Sequence, residues 1–209
     1  MYDCDAYVQY PNHHKWFNKL WLAEQLGYVC GPVGVSVPKA AYYIVRPIYN
    51  VSGMGIGAER RWLVPENDVI IPGHFWCEEF KGIQFTFDLK FNWAGPPFWK
   101  VIRGYRCEKY NLQQFFRFIK EPLYDEITLP HFFHDLSEVG IINIEMIGDK
   151  IIEVHLRSNP DPEYDELIPV WRDKSIDKEF YFKQGYQWVD SYDDGDGHLK
   201  SPRLGFLVR

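Results

Sequence analysis

Residues 150–157 read KIIEVHLR, an apolar run in which Glu153, His155 and Arg157 take alternate positions. Side chains along a strand alternate between its faces, so an acid, an imidazole and a guanidinium would stand in a row on one side. The preceding run GIINIEMI adds Asn143 and Glu145. A two-residue turn at Gly148-Asp149 would set Glu153 opposite Ile144 and mix polar with apolar residues on both faces. A three-residue loop, 148–150, pairs Ile147 with Ile151 instead. It gathers Asn143, Glu145, Glu153, His155 and Arg157 on one face and leaves Ile144, Met146, Ile152, Val154 and Leu156 on the other. A one-residue slip exchanges the faces, and only this register keeps both consistent, so it is the one expected. A solvated face with cross-strand charge pairs is the plain alternative. Two carboxylates opposite each other repel, however, unless a cation lies between them. A divalent metal such as Mg²⁺ suits carboxylate oxygens, and it would leave the arginine to grip phosphate.

A second segment with chemical content is SGMGIG, residues 52–57. It lacks the GxxxxGK[ST] spacing of a Walker loop and opens no helix with GxGxxG. By itself it reads as a turn. Behind a strand that carries Arg46, its glycines could offer backbone N–H groups to a phosphate without side-chain obstruction. His13, His14, His131 and His134 read as helix-surface or capping residues. The acidic DDGDG has no Glu at the twelfth loop position and reads as a turn rather than a calcium loop. The tryptophans read as core before sugar-stacking platforms.

The elements that must hold these residues are mixed. NHHKWFNKLWLAEQLG predicts a helix, with Trp16, Leu20, Ala23 and Leu26 on one face and Gly27 at its end. AAYYIVRPIYN, RRWLVP, DVIIPG and HFWCEEF predict strands, and IQFTFDLKF alternates apolar and polar residues. NLQQFFRFIKE predicts a short helix capped by Asn111, and LPHFFHDLSEVG another, with Pro130 near its start and Gly140 after its end. SIDKEFYFKQG predicts a last helix. No regular βαβ rhythm appears, which points to an α+β fold with mainly antiparallel sheets.

The 209 residues fit one domain or two small lobes, and 46% hydrophobic with 18% aromatic content leaves no case for disorder. A net charge of -6 argues against bulk binding of nucleic acid. No apolar run reaches the ~18 residues of a membrane span, and the first residues lack a secretory leader pattern, so a cytosolic protein is expected. Cys4, Cys30, Cys77 and Cys107 are scattered and read as free thiols.

In chain order, these segments resemble the ATP-grasp superfamily, and most of all its small stand-alone members such as those some phages encode. IIEVHLR resembles the family's metal-binding strand, usually E-x-N-x-R, and INIE resembles the preceding strand with the first acidic ligand. FNKLWLAEQLGYVCGP is similar to the lysine-bearing helix, YYIVRPIYNVSGMGIGA to the basic strand and glycine loop, and HFWCEEFKGIQFTFD to the adenine hinge. The likeness covers roughly residues 12 to 161. It implies two α+β lobes gripping a nucleotide: an N-terminal helical segment 1–40, a small lobe 41–82 and a large lobe 83–209. It places Lys19, Arg46, Ser52, Gly53, Gly55 and Gly57 at the phosphates, with Glu78 or Glu79 and Gln84 at the hinge and ribose. Glu145, Glu153 and His155 would hold Mg²⁺ or Mn²⁺, and Arg157 with Arg46 would stabilise the transferring phosphoryl group.

The chain departs from the pattern at two places. His155 stands where asparagine is usual, and Arg46 replaces lysine but keeps the charge and gains a bidentate fork. The implied activity is an ATP-dependent carboxylate–amine, or carboxylate–thiol, ligase working through an acyl phosphate. A nucleotide-binding protein of the same fold without ligase turnover is the alternative, and an aromatic-rich carbohydrate or single-strand nucleic-acid binder is a third. The family's usual substrate-binding domain has no counterpart, so a homodimer or a partner protein supplying it is also expected. A phage origin would make the site of action the host cytoplasm.

Overall fold

The computed structural model of the chain describes all residues except 50–52, 66–69 and 123–126. Two sheets dominate it, and every strand pairing described in them is antiparallel. The smaller contains β1 (Cys30–Pro32), β2 (Ala41–Pro47), β3 (Glu59–Leu63) and β4 (His74–Glu78), in the order β1-β4-β2-β3. The larger contains β5 (Gln84–Phe91), β6 (Trp99–Lys109), β7 (Phe115–Lys120), β8 (Ile141–Ile147), β9 (Lys150–His155), β10 (Glu166–Trp171), β11 (Gln187–Asp193) and β12 (Arg203–Val208). Its order is β11-β12-β10-β7-β6-β5-β8-β9. Among the described residues three α-helices accompany them: α1 (Asp3–Gln9), α2 (Lys19–Gln25) and α3 (Lys178–Lys183).

The two faces of the large sheet have opposite chemistry. Leu89, Ile142 and Ile144 are fully buried on one face and pack with Ala6, Trp16 and Leu22 from the N-terminal helices. Burying such aliphatic side chains stabilises the fold by roughly 1.5–3 kcal/mol each, which fixes the register of β5, β8 and β9 against the helices. The opposite face of those strands carries Gln84, Thr86, Asp88, Asn143 and Glu145, and it looks toward the small sheet.

Three predicted elements change in the structure. The helix expected over NHHKWFNKLWLAEQLG divides into a 3-10 turn, Pro11–Phe17, and α2. Asn18 is extended between them, and its side chain accepts from the Trp21 amide at 2.8 Å, so a strong N-cap former starts a new helix mid-pattern. The helix expected over NLQQFFRFIKE is instead strand β7. Asn111 does accept from two amides ahead of it, Gln113 and Gln114, but it closes the β6–β7 turn, and the aromatic run FFRFI then pairs as a strand. LPHFFHDLSEVG forms only a 3-10 turn, His131–Leu136, before Gly140 takes its left-handed conformation. The strand expected at DVIIPG lies partly outside the described residues, and residues 70–73 form none.

The C-terminal strand is locked at Glu166. Its backbone exchanges two hydrogen bonds with Arg209, and its buried carboxylate contacts Arg117 Nε and Arg209 Nη2, each at 2.5 Å. Burial opposes ionisation of this carboxyl. Hydrogen bonds from Arg117 and Tyr186, with the nearby guanidinium charges, nevertheless hold it below the usual carboxylate range. A group depressed in this way stabilises the fold above its unfolded value of about 4.3 and loses that contribution as the pH falls through its folded value. Glu166→Gln is therefore expected to cost about 1–2 kcal/mol at pH 7 and much less at pH 3. Denaturant titration of both proteins at the two pH values checks this; an equal cost at both would show that the charge contributes nothing.

Candidate functional site

The hairpin of β8 and β9 reaches the expected active face by a different route. Ile147 pairs with Lys150 across a two-residue turn, not with Ile151. Between Glu145 and Met146 the register shifts by one, because Ile152 is an extra residue with no partner of its own. This β-bulge restores the pairings Glu145–Glu153, Ile144–Val154 and Asn143–His155, so the polar face survives. It also reverses two neighbours: Ile151 enters the core, and Ile152, expected there, lines the cleft. The Ile152 carbonyl released by the bulge accepts from Arg46 Nη2 of β2 at 3.0 Å, which ties the small sheet to the large one.

A cleft of about 560 Å³ lies between the sheets. At its floor Glu145 and Glu153 are direct cross-strand partners, and each has a different close partner. Lys19 Nζ, at the first turn of α2, stands 2.5 Å from Glu153 Oε1, with both side chains largely buried. Burial would raise the Glu153 pKa, but the charges of Lys19, His155 and Arg46 hold it below the usual range. Glu145 Oε2 accepts from Gln84 Nε2 at 2.9 Å, and Gln84 Oε1 accepts in turn from Lys109 Nζ at 2.8 Å. Burial lowers the Lys109 pKa, and the Glu145 charge opposes it.

His155 is buried, and its two nitrogens face different groups. Nδ1 lies 2.9 and 3.0 Å from the two carboxylate oxygens of Asp3, which is itself buried at the start of α1. Nε2 lies 3.6 Å from Glu145 Oε1 and 3.8 Å from Glu153 Oε1, beyond good hydrogen-bond length. Burial would strip the imidazole of its second proton, yet the Asp3 carboxylate outweighs it and raises the His155 pKa to about 9. Arg157 Nη2 donates to Asp3 Oδ2 at 2.8 Å. His155 and Arg157 together hold Asp3 far below the usual carboxylate range against the effect of burial.

The remaining expected residues are distributed around this floor. Gly53 and Gly55 line the cleft. Gly55 has φ +60°, and a Cβ there would come 2.6 Å from the Leu112 carbonyl oxygen, so only glycine lets the loop lie against the β6–β7 turn. Gly57 packs against Pro47 instead, and Ser52 lies outside the described residues. Glu78 and Glu79 line the cleft, but both carboxylates have protein partners. Glu78 Oε1 accepts from the Val29 amide at 3.0 Å, and Glu79 pairs with Arg60 and Lys81 at 2.7 and 2.8 Å.

Lys19, Arg46, Gln84, Glu145, Glu153, His155 and Arg157 thus meet at one cleft. Asp3 and Lys109 join them with no expectation from the sequence. Asp3 precedes its partner His155 by 152 residues, and a lone acid in MYDCDAY carries no sign of it. Lys109 ends a long strand as many surface lysines do, and only its contact with Gln84 distinguishes it.

No family model and no curated protein sequence matches this chain. Among solved structures it is similar to an L-amino acid ligase from Bacillus licheniformis, at 15% identity and a TM-score of 0.44, over 69% of this chain and 41% of that one. It is also similar to a protein from Archaeoglobus fulgidus named for the ATP-grasp superfamily, at 11% identity and a TM-score of 0.49, over 94% of this chain and 65% of that one. The chain spans less than two thirds of the length of either. Likenesses this distant carry no functional argument, which rests on the cleft.

The Lys19–Glu153 pair gives a direct test of that cleft's electrostatics. Removing one member of a buried ion pair leaves the other charge uncompensated, at a cost of about 3–5 kcal/mol. Glu153→Gln and Lys19→Met are each expected to destabilise the protein on that scale, and the double variant by much less than their sum. Additive costs in a double-mutant cycle measured by urea denaturation would show that the two groups are not coupled.

Proposed function

We propose that the chain is an ATP-dependent ligase of ATP-grasp type that joins a carboxylate to an amine. The observation supporting this most strongly is the meeting, in one cleft, of an acid–imidazole cluster, two cations and a glycine loop. Glu145, Glu153 and His155 each offer a ligand atom, and all three atoms lie within 4.8 Å of one another. This donor set fits a divalent cation, and the Lys19 ammonium against Glu153 already stands in a cation's place. Glu145, Glu153 and His155 would hold the metal, which when bound would neutralise phosphate charge.

The chain's own residues account for the rest. Once Glu153 has another counter-charge, Lys19 is released to pair with phosphate. Arg46 lines the same cleft, held by its bond to Ile152. The glycine loop, which lines the cleft at Gly53 and Gly55, would face the phosphates. Arg157 shares its charge with Asp3, so it contributes less net positive potential than the sequence suggests. The hinge residues Glu78 to Phe80 line the end of the cleft suited to the base and ribose, and the carboxylates of Glu78 and Glu79 are held by other partners.

In the reaction so supported, a carboxylate oxygen of the acid attacks the γ-phosphorus of ATP. The bond to the bridging oxygen breaks, ADP leaves and an acyl phosphate forms. The amine nitrogen then attacks the acyl carbon, phosphate departs with the bonding pair, and the amine proton passes to solvent. Positioning and charge stabilisation dominate such transfers, which matches a site rich in fixed charge.

Thermal melts with ATP or ADP and Mg²⁺ or Mn²⁺ test the reading. A ligand bound only by the folded state at a hundredfold excess over Kd contributes about 2.7 kcal/mol, a rise of roughly 5–11 °C for a chain of this size. Glu145→Gln should remove most of the metal-dependent part. ADP release in a screen of acids paired with amines completes the test. A nucleotide shift without ADP release under any pair would assign the chain to nucleotide binding alone, and no shift with any nucleotide would overturn both assignments.

A further inference from the structure

We propose that Asp3 is a positioning residue that makes His155 a nitrogen ligand, so that the Glu145–Glu153–His155 cluster prefers a first-row transition-metal dication to Mg²⁺. The inference rests on the reading that this cluster holds a metal and deepens it by naming the class of ion.

An ionised carboxylate only accepts hydrogen bonds, so the contact between Asp3 and Nδ1 requires the proton on Nδ1. The other ring nitrogen, Nε2, is thereby the one turned to the carboxylates of Glu145 and Glu153, at 3.6 and 3.8 Å, and a cation bound there takes the place of its proton. Asp3 is 3% exposed, its helix is anchored in the core through the fully buried Ala6, and Arg157 Nη2 fixes Oδ2 from the far side at 2.8 Å. A carboxylate behind a ligating histidine orients the ring in this way, and losing such a partner typically weakens metal binding by 10–100-fold. Asparagine at position 155 would present an amide oxygen, a donor well suited to Mg²⁺. Imidazole nitrogen favours transition-metal dications, whereas Mg²⁺ takes oxygen ligands almost exclusively.

The test uses the whole chain with Mn²⁺ alone and with Mn²⁺ plus ADP, read by electron spin-echo spectroscopy and by titration calorimetry against Mg²⁺. The wild-type protein should show modulation from a directly bound imidazole nitrogen. His155→Asn should abolish that signal and reduce the Mn²⁺-over-Mg²⁺ preference at least about tenfold. Asp3→Asn should weaken Mn²⁺ binding by about 10–100-fold. Because the wild-type spectrum decides the ligand question alone, a variant that fails to fold does not rescue the idea. Nitrogen-coupled Mn²⁺ that ignores ADP upholds the inference while removing the nucleotide reading. ADP-supported Mn²⁺ without nitrogen modulation does the reverse: His155 would then be a charge spacer between the acids. No bound Mn²⁺ in either sample overturns the inference.

Discussion

Glu145 and Glu153 face each other across a pair of antiparallel strands, and that repulsion is the constraint around which the rest of the cleft is arranged. Like charges directly opposite destabilise a sheet, and in a partly buried setting the penalty grows because water screens them less. The structure answers with separate compensation on each side. Glu153 takes the Lys19 ammonium from α2, and Glu145 takes an amide hydrogen bond from Gln84 backed by Lys109. His155 stands between them with its own charge balanced by Asp3. Three parts of the chain far apart in sequence are thus drawn to one hairpin.

The same hairpin joins the two sheets. The bulge lies on β9, the edge strand of the large sheet, where the Ile152 carbonyl takes a donor from outside the sheet. Arg46 supplies that donor from the small sheet. A single inserted residue therefore sets the register of the acids, redirects a hydrophobic side chain into the cleft and places a guanidinium beside the glycine loop. These consequences follow from one backbone irregularity.

An acid–imidazole cluster already balanced by a lysine is suited to exchange. Under the proposed function a divalent ion would take the place of the Lys19 ammonium at Glu153 and leave the lysine for phosphate oxygens. Such an exchange would couple metal and nucleotide through charge. Arg157, bound to Asp3, belongs to the support of this cluster as much as to its chemistry.

Much of this was legible in the order of residues. The α+β character, the antiparallel sheets and the polar face of Asn143, Glu145, Glu153 and His155 follow from period-two alternation, which is local. The turn that produces that face was not: the preference for consistent faces pointed to a longer loop, whereas a bulge achieves the same result with a shorter one. The helix expected over residues 111–121 failed because the capping signal of Asn111 is shared by helices and hairpin turns, and only pairing with β6 and β10 decides between them. The sequence alone determined which side chains could bind a cation and that they share one face of a hairpin. Tertiary structure decided what each of them touches, because Asp3, Lys19, Gln84 and Lys109 reach the hairpin only when the helices and sheets pack, and no local pattern encodes a contact spanning 152 residues.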